Sequence, residues 1–190
     1  SDESRGLGDV YKRQDIRRIL DKGVPTLIDE AYIEFSNEIS SLSLMNEYPN
    51  LYVTRTFSKA YGSAGTRFGL IFSQKQNIDN MNQYRDMYET TGQTLKWIQT
   101  ICRNKDFADE YISNVKKTRS ELLIKLYDMG IKFIPSACNW FHIKERDLPL
   151  LKHMERDVVF RKNCVIPQRG NDWVRLQITD SIKDYDWILK

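Results

Sequence analysis

Hydrophobic and polar residues alternate along the first part of the chain in patterns that predict one helix and three strands. Residues 15–22 (DIRRILDK) have helical spacing, and Gly23 is a typical helix stop. The apolar runs at 24–32 (VPTLIDEAY), 51–58 (LYVTRTFS) and 68–73 (FGLIFS) are strand-like. Longer connections between strands indicate a parallel α/β sheet, with a Gly-rich hairpin between the last two runs as the alternative.

Helical spacing follows from residue 77 to 104 and is clearest from 107 to 129. In the second stretch apolar residues recur every four or seven positions, and Gly130 is expected to end the helix. In the first stretch three large side chains at helical spacing are expected to pack in the interior: Tyr84, Met87 and Tyr88.

The last third of the chain combines strand-like and helical patterns. Residues 131–143 (IKFIPSACNWFHI) and 173–179 (WVRLQIT) predict strands, and 148–157 (LPLLKHMERD) predicts a helix between them. A long helix followed by these elements predicts a second, smaller α+β lobe.

These patterns predict a domain organisation in three parts. Residues 1–14 are polar and without periodicity, so we expect a non-native or disordered leader outside the fold. Residues 15–104 are predicted to form part of a large α/β domain, and 105–190 a small C-terminal domain. We expect the chain to be truncated at its N-terminus and to stop within its last helix.

Composition excludes several classes of protein. The chain has 190 residues, 41% of them hydrophobic, and a net charge of +3 without a run of like charges, which argues against nucleic acid and membrane surfaces as partners. Its three cysteines are widely spaced, so neither a metal site nor a disulfide framework is predicted. We expect a cytoplasmic protein without a membrane span.

The acid pair in LIDEAY (27–32) permits more than one interpretation. A carboxylate after a buried strand holds the metal in P-loop ATPases, but that function needs a G-x-x-x-x-G-K-[ST] loop, a motif that the 190 residues do not contain. Asp29 as a cap of the following turn is the structural alternative.

Lys59 has an unusual setting for a single lysine. It directly follows a strand-like run, and hydroxyl side chains and glycines surround it, which favours close approach of an anion. An amine near cationic groups or in an apolar pocket becomes a nucleophile toward aldehydes. Arg67, eight residues later, can bind a phosphate with two parallel hydrogen bonds.

Together, the carboxylate, the lysine and the phosphate-binding groups are what pyridoxal 5'-phosphate (PLP) requires. The segments LIDEAYIEF (27–35) and YPNLYVTRTFSKAYGSAGTRFG (48–69) resemble the PLP-dependent aminotransferases of class I/II, in the histidinol-phosphate aminotransferase branch. The resemblance extends over about 15–190. It implies an α/β fold, namely part of the fold type I large domain with a mainly parallel sheet, plus the small α+β lobe.

The resemblance implies roles for residues of the first lobe. Lys59 would form the Schiff base with PLP and move the proton of the substrate Cα. Asp29 would pair with the pyridine nitrogen, and Tyr32 would donate a hydrogen bond to the 3-oxygen of the ring. Thr56, Ser58 and Arg67 would hold the phosphate.

In the second lobe the resemblance implies that Arg175 binds the substrate carboxylate and that Asn139 lines the pocket. Residues that relatives place before the acid pair, and a tyrosine from the dimer partner, have no counterpart here.

The resemblance implies transfer of an amino group from a small-molecule donor to a 2-oxo acid by a homodimer. Histidinol phosphate and 2-oxoglutarate, in histidine biosynthesis, are the first substrate pair. O-phosphothreonine decarboxylation and transamination of another amino acid are alternatives, and a non-catalytic fragment is the alternative of another class.

Overall fold

A computed structural model describes residues 13–147, 160–166 and 169–178. This part of the chain divides between Asp109 and Glu110 into two compact units. We call the described residues up to 109 the first unit and those from 110 onward the second unit. The predicted domain boundary after residue 104 lies five residues before this division.

The first unit contains a three-stranded sheet of β1 (Thr26–Asp29), β2 (Leu51–Thr56) and β3 (Gly69–Phe72), in that order. β1 and β2 are parallel, as predicted, but β2 and β3 are antiparallel. The hairpin considered as the alternative between the last two runs is therefore confirmed, and β3 departs from the parallel order. A parallel partner for β2 would need a crossover helix, and residues 57–68 form only a loop with one short 3-10 turn.

Helix α1 (Arg13–Leu20) covers one side of this sheet through its apolar face. It begins two residues before the predicted helix, and Gly23, with a φ of 69°, follows its end. A left-handed backbone of this kind favours glycine. The core is formed by the buried residues Ile16, Leu20, Leu44, Leu51 and Val53.

The predicted continuous helical region over 77–104 is two helices, α2 (Lys75–Asn82) and α3 (Gly92–Arg103). The Thr91 hydroxyl accepts a hydrogen bond from the Thr94 amide at 3.1 Å, so a new helix is capped there. The connection leaves three side chains exposed that were expected to pack: Tyr84 (89% exposed), Met87 (83%) and Tyr88 (89%).

Helix α4 (Asp106–Asp128) begins before the division and lies mainly in the second unit, and it matches the predicted helix closely. Val115, Leu122 and Leu126 are buried as the spacing predicts, whereas Phe107 is half exposed. Gly130 follows the helix with a φ of 69°. Arg119 donates hydrogen bonds to the carbonyls of Ala137 and Cys138, tying the helix to the segment before the next long strand.

The sheet of the second unit is antiparallel, with the order β4 (Phe133–Ile134), β5 (Trp140–Lys144), β7 (Gly170–Gln177) and β6 (Phe160–Ile166). The strands predicted at 131–143 and 173–179 are present as β4, β5 and β7. The helix predicted at 148–157 lies outside the described residues.

Side chains alternate between the two faces of β5 and β7. Phe141, Ile143, Val174 and Leu176 are buried on one face. On the other face His142 lies directly opposite Arg175 across the two strands.

Candidate active site

The carboxyl ends of the parallel strands β1 and β2 meet at one edge of the first sheet. Asp29 is the last residue of β1 and is paired with Thr54 of β2, and Lys59 comes three residues after the end of β2. This edge is where α/β sheets bind ligands. The fold therefore brings the two residues with the most distinctive predicted roles to the same edge.

The Asp29 carboxylate is exposed but fixed in orientation. Its Oδ1 accepts hydrogen bonds from the Ala31 amide at 3.0 Å and from the Thr54 hydroxyl at 3.3 Å. The first contact is the turn cap considered as the structural alternative for this residue. Capping and ligand binding are compatible, because a carboxylate has two oxygens and about four acceptor positions.

Lys59 lies over the ring of Tyr32. Its Nζ is 5.4 Å from the ring centroid, within the range of a cation–π interaction. Lys59 is exposed and Tyr32 is partly buried. The lysine amine is thus accessible to a ligand and is oriented toward the turn that carries Tyr32.

Residues 57–68, which we call the lysine loop, are held closed by backbone hydrogen bonds. The amide of Phe57 bonds to the carbonyl of Phe68 at 3.3 Å, and the amide of Ser63 bonds to the carbonyl of Phe57 at 3.0 Å. The hydroxyl of Ser63 accepts a hydrogen bond from Nε1 of Trp97 in α3 at 3.0 Å. Gly62 takes a φ of 61°, which lets the loop turn tightly behind Lys59.

The predicted phosphate ligands lie at the two ends of this loop. Thr56 Oγ1 accepts a hydrogen bond from the Ser58 amide at 3.1 Å, so both residues also stabilise the local turn. Arg67 has a left-handed backbone with a φ of 53°, and its Nη1 donates to the Ala64 carbonyl at 3.1 Å. The guanidinium is exposed and has further donors for an anion.

The second acid of the pair, Glu30, is buried and ion-paired, which the sequence pattern did not predict. Glu30 is only 6% exposed and forms an ion pair with Arg55 of β2, with Nη2 and Oε2 3.1 Å apart. Glu34 lies 4.0 Å from the same guanidinium, and its Oε2 is buried without a hydrogen-bond partner among the described residues. Burial raises the pKa of Glu34 above its usual value, and the nearby Glu30 adds to the effect.

The strand register, and not the sequence alone, accounts for this ion pair. Glu30 follows β1, and its amide bonds to the Thr54 carbonyl at 2.9 Å, so a parallel register places it beside Arg55. A buried acid next to a strand arginine could have been inferred once that register was known.

The two site residues predicted in the second lobe belong to the second unit. Asn139 is buried, and its carbonyl accepts the amide of Ile178 at 2.7 Å. Arg175 on β7 is partly exposed, with its Cζ 5.5 Å from the ring centroid of Trp140. Both residues are thus held by the antiparallel sheet.

His142, to which the sequence analysis gave no role, is an unusual neighbour of Arg175. It is 3% exposed, and its Nδ1 has no hydrogen-bond partner among the described residues. Burial, together with the charge of Arg175, lowers the pKa of His142 to about 4. The imidazole is therefore neutral at physiological pH, and its ring stands edge-on to that of Trp140 with 5.1 Å between centroids.

Within the described part of the chain, no helix has both the length and the apolar composition that crossing a membrane requires. No cluster of three or more His, Cys, Asp or Glu residues in the described ranges could hold a metal ion.

Comparison with known proteins gives one family and several relatives. The model of the family Aminotransferase class I and II matches residues 6–181. The chain is 36% identical over 141 residues to a histidinol-phosphate aminotransferase from Clostridium botulinum, a match that covers 70% of this chain and 39% of that protein. The chain thus spans less than half the length of this curated relative.

Solved structures share the fold. The L-threonine-O-3-phosphate decarboxylase from Porphyromonas gingivalis matches with a TM-score of 0.79 and 18% identity, over 97% of this chain and 60% of that one. A histidinol-phosphate aminotransferase from Sinorhizobium meliloti, solved in complex with pyridoxal-5'-phosphate, matches with a TM-score of 0.75 and 19% identity, over 92% and 50% of the two chains. The predicted fold class is confirmed by these similarities.

Proposed function

Because the chain belongs to the class I and II aminotransferases, we propose that it is the lysine-bearing part of a PLP-dependent aminotransferase. The observation that carries the proposal is the edge of the first sheet, where Asp29 ends β1 and Lys59 follows β2 with its amine accessible. The donor set suits PLP: an amine for its aldehyde, a carboxylate for its ring nitrogen, and hydroxyls with a guanidinium for its phosphate.

In this proposal each residue has a defined role. Lys59 Nζ would bind the aldehyde carbon of the cofactor with loss of water, and the same amine, released when the amine of the substrate takes its place, would accept the proton from the substrate Cα. Asp29 would accept a hydrogen bond from the protonated ring nitrogen, and the hydroxyl of Tyr32 would donate one to the ring oxygen. Bound PLP supplies the electron sink that makes the Cα proton acidic.

Thr56, Ser58 and Arg67 would hold the phosphate at the ends of the lysine loop. Their existing contacts stabilise the turns at the two ends of that loop before a ligand arrives, which reduces the entropy lost on binding.

The second unit would supply the specificity for the substrate. Arg175 is proposed to bind the substrate carboxylate through a bidentate pair, and Asn139 to line the pocket. Arg175 lies on β7, and Asn139 lies directly before β5 with its carbonyl bonded to the Ile178 amide, which gives both residues a defined position.

We further propose histidinol phosphate as amino donor and 2-oxoglutarate as acceptor, with two copies of the full-length protein forming the enzyme. The name of the curated relative, histidinol-phosphate aminotransferase, supports the proposed amino donor. The structural similarity to a threonine phosphate decarboxylase favours O-phosphothreonine as a second candidate substrate. Formation of glutamate distinguishes the first reaction, and release of carbon dioxide without glutamate distinguishes the second.

Titration of the chain with PLP tests the proposal. A new absorption band near the visible edge is expected, and borohydride should convert it into a stable adduct. Lys59→Ala should abolish the band, whereas Lys75→Ala, which alters an exposed lysine paired with Asp79, should retain it. A band that persists in Lys59→Ala contradicts the assignment, and no band in any variant favours the non-catalytic fragment.

A further inference from the structure

The buried carboxylate of Glu30 connects three segments of the first unit. Its Oε2 accepts the Ser40 hydroxyl at 2.7 Å and the Nε and Nη2 of Arg55 at 3.2 and 3.1 Å. Its Oε1 accepts the amide of Ser41 at 2.5 Å. Because burying a carboxylate without hydrogen-bond donors is costly, these contacts hold the three segments in one arrangement.

The segment that Glu30 begins is the turn that carries Tyr32. The amide of Ile33 bonds to the Glu30 carbonyl at 3.2 Å, and the amide of Phe35 bonds to the Tyr32 carbonyl at 3.1 Å. Phe35 itself is fully buried. Tyr32 thus lies between two fixed residues of the turn, the ion-paired Glu30 before it and the buried Phe35 after it.

The segment that Arg55 occupies leads into the lysine loop. Arg55 lies on β2 four residues before Lys59, and the hydrogen bond between Phe57 and Phe68 closes the loop directly after the strand. One ion pair therefore joins the start of the turn that carries Tyr32 to the strand that leads into the lysine loop. Two residues beyond Glu30 and four beyond Arg55, the ring of Tyr32 and the amine of Lys59 meet, with 5.4 Å between Lys59 Nζ and the ring centroid.

We propose that Glu30 and Arg55 are positioning residues that hold the Tyr32 ring against the Lys59 amine. The inference rests on the proposed function only for the importance of Lys59. The ion pair touches no reacting atom, and it acts through the placement of Tyr32. In the proposed enzyme it would fix the amine and the tyrosine hydroxyl on the same side of the site before the cofactor binds.

Reductive methylation of the chain without PLP tests this placement. Formaldehyde and a borohydride reagent label accessible amines, and peptide mass spectrometry reports Lys59 relative to the exposed Lys22. Tyr32→Leu removes the ring and should increase Lys59 labelling roughly two- to fivefold, because the energy of a cation–π contact at an exposed site corresponds to that change in the fraction of free amine. Glu30→Gln should increase it in the same direction.

The double variant Glu30→Gln/Tyr32→Leu separates positioning from other effects. If Glu30 acts through Tyr32, the double variant labels no faster than Tyr32→Leu alone. Arg55→Lys keeps the positive charge but loses the two parallel N–H donors of the guanidinium, so Lys59 labelling should increase by less than in Glu30→Gln. It also provides a milder variant if Glu30→Gln unfolds. Glu47→Gln, which alters the exposed ion pair with Arg17, should leave Lys59 labelling unchanged.

Two results would overturn the proposal. Additive increases in the double variant would mean that Glu30 affects Lys59 without Tyr32. Unchanged Lys59 labelling in a folded Glu30→Gln or Arg55→Lys variant with a lower urea midpoint would assign the pair a structural role alone. Since the labelling uses no PLP, failure of cofactor binding refutes the proposed function without affecting this outcome.

Discussion

Glu30 in the first unit and His142 in the second unit are both buried ionisable groups, but their surroundings differ. In the first unit the buried Glu30 is satisfied by Arg55, Ser40 and Ser41, and the exposed Asp29 and Lys59 face the sheet edge. In the second unit the buried His142 faces Arg175 and leaves one ring nitrogen without a described partner. The first arrangement surrounds a buried carboxylate with hydrogen-bond donors, whereas in the second burial lowers the pKa of His142 and keeps its ring neutral.

The comparison predicts that breaking the compensated pair has the largest effect. Arg55→Met leaves the Glu30 carboxylate buried without its cation, so the free energy of unfolding should fall by roughly 3 kcal/mol or more. The matched change Arg17→Met in the exposed pair with Glu47 should cost much less, because solvent screens that pair. Urea unfolding of both variants at neutral pH measures the difference, and equal losses would remove the distinction between the two pairs.

The second unit should be sensitive to acid through His142. Its pKa is about 4 in the folded chain and 6.5 without perturbation, so between these values the unfolded chain binds a proton that the folded chain does not. Stability should therefore fall as the pH drops from 6.5 toward 4, by an amount on the order of 3 kcal/mol.

Urea midpoints of the natural chain and of His142→Gln at pH 4.5 and 7.5 check this prediction. The variant should lose less stability on acidification than the natural chain. Identical pH profiles would show that His142 is not the group that titrates.

Arg175 tests whether the second unit contributes to binding. If it pairs with the substrate carboxylate, Arg175→Leu should weaken maleate binding to the PLP-loaded chain by about tenfold to a hundredfold, as expected for a charged hydrogen bond. Arg175→Lys should retain part of the affinity. The absorbance of the bound cofactor measures the titration, and an unchanged affinity in Arg175→Leu would limit the ligand site to the first unit.

Glu34 gives the smallest effect and refines the description of the first unit. Its pKa is raised in the folded chain, so the folded state is favoured while the carboxyl is protonated and this advantage is lost as the pH rises through the folded pKa. Glu34→Gln should therefore increase the free energy of unfolding at pH 8 by about 1 kcal/mol and by less at pH 5. A decrease at pH 8 would mean that the charged form of Glu34 supports the fold.

Local hydrophobic patterns in the sequence were sufficient to predict most helices and strands of the fold. The strands near 26–29, 51–56 and 69–72 and the helix at 106–128 were expected from periodicity, because burial of one face leaves a regular trace in the sequence. The direction of β3 was not, because it depends on whether residues 57–68 close on themselves through Phe57 and Phe68.

The residues of the candidate site are predictions from the family resemblance, and the contacts that support them were not predicted. Asp29 and Glu30 are adjacent and chemically alike, so residue type alone does not show which one faces the sheet edge and which one is buried. The parallel register of β1 and β2 decides this, and it also brings Arg55 beside Glu30. Pairs that depend on register are non-local, and a single sequence carries little trace of them.

The central claim is that Lys59 is the residue that binds PLP. The most direct measurement is borohydride reduction of the chain in the presence of PLP, followed by proteolysis and mass spectrometry of the peptides. We expect one cofactor mass on the peptide that contains Lys59, and less of it in Asp29→Ala, which removes the partner of the ring nitrogen. Labelling spread over exposed lysines such as Lys22 and Lys75, with none preferred at Lys59, would contradict it.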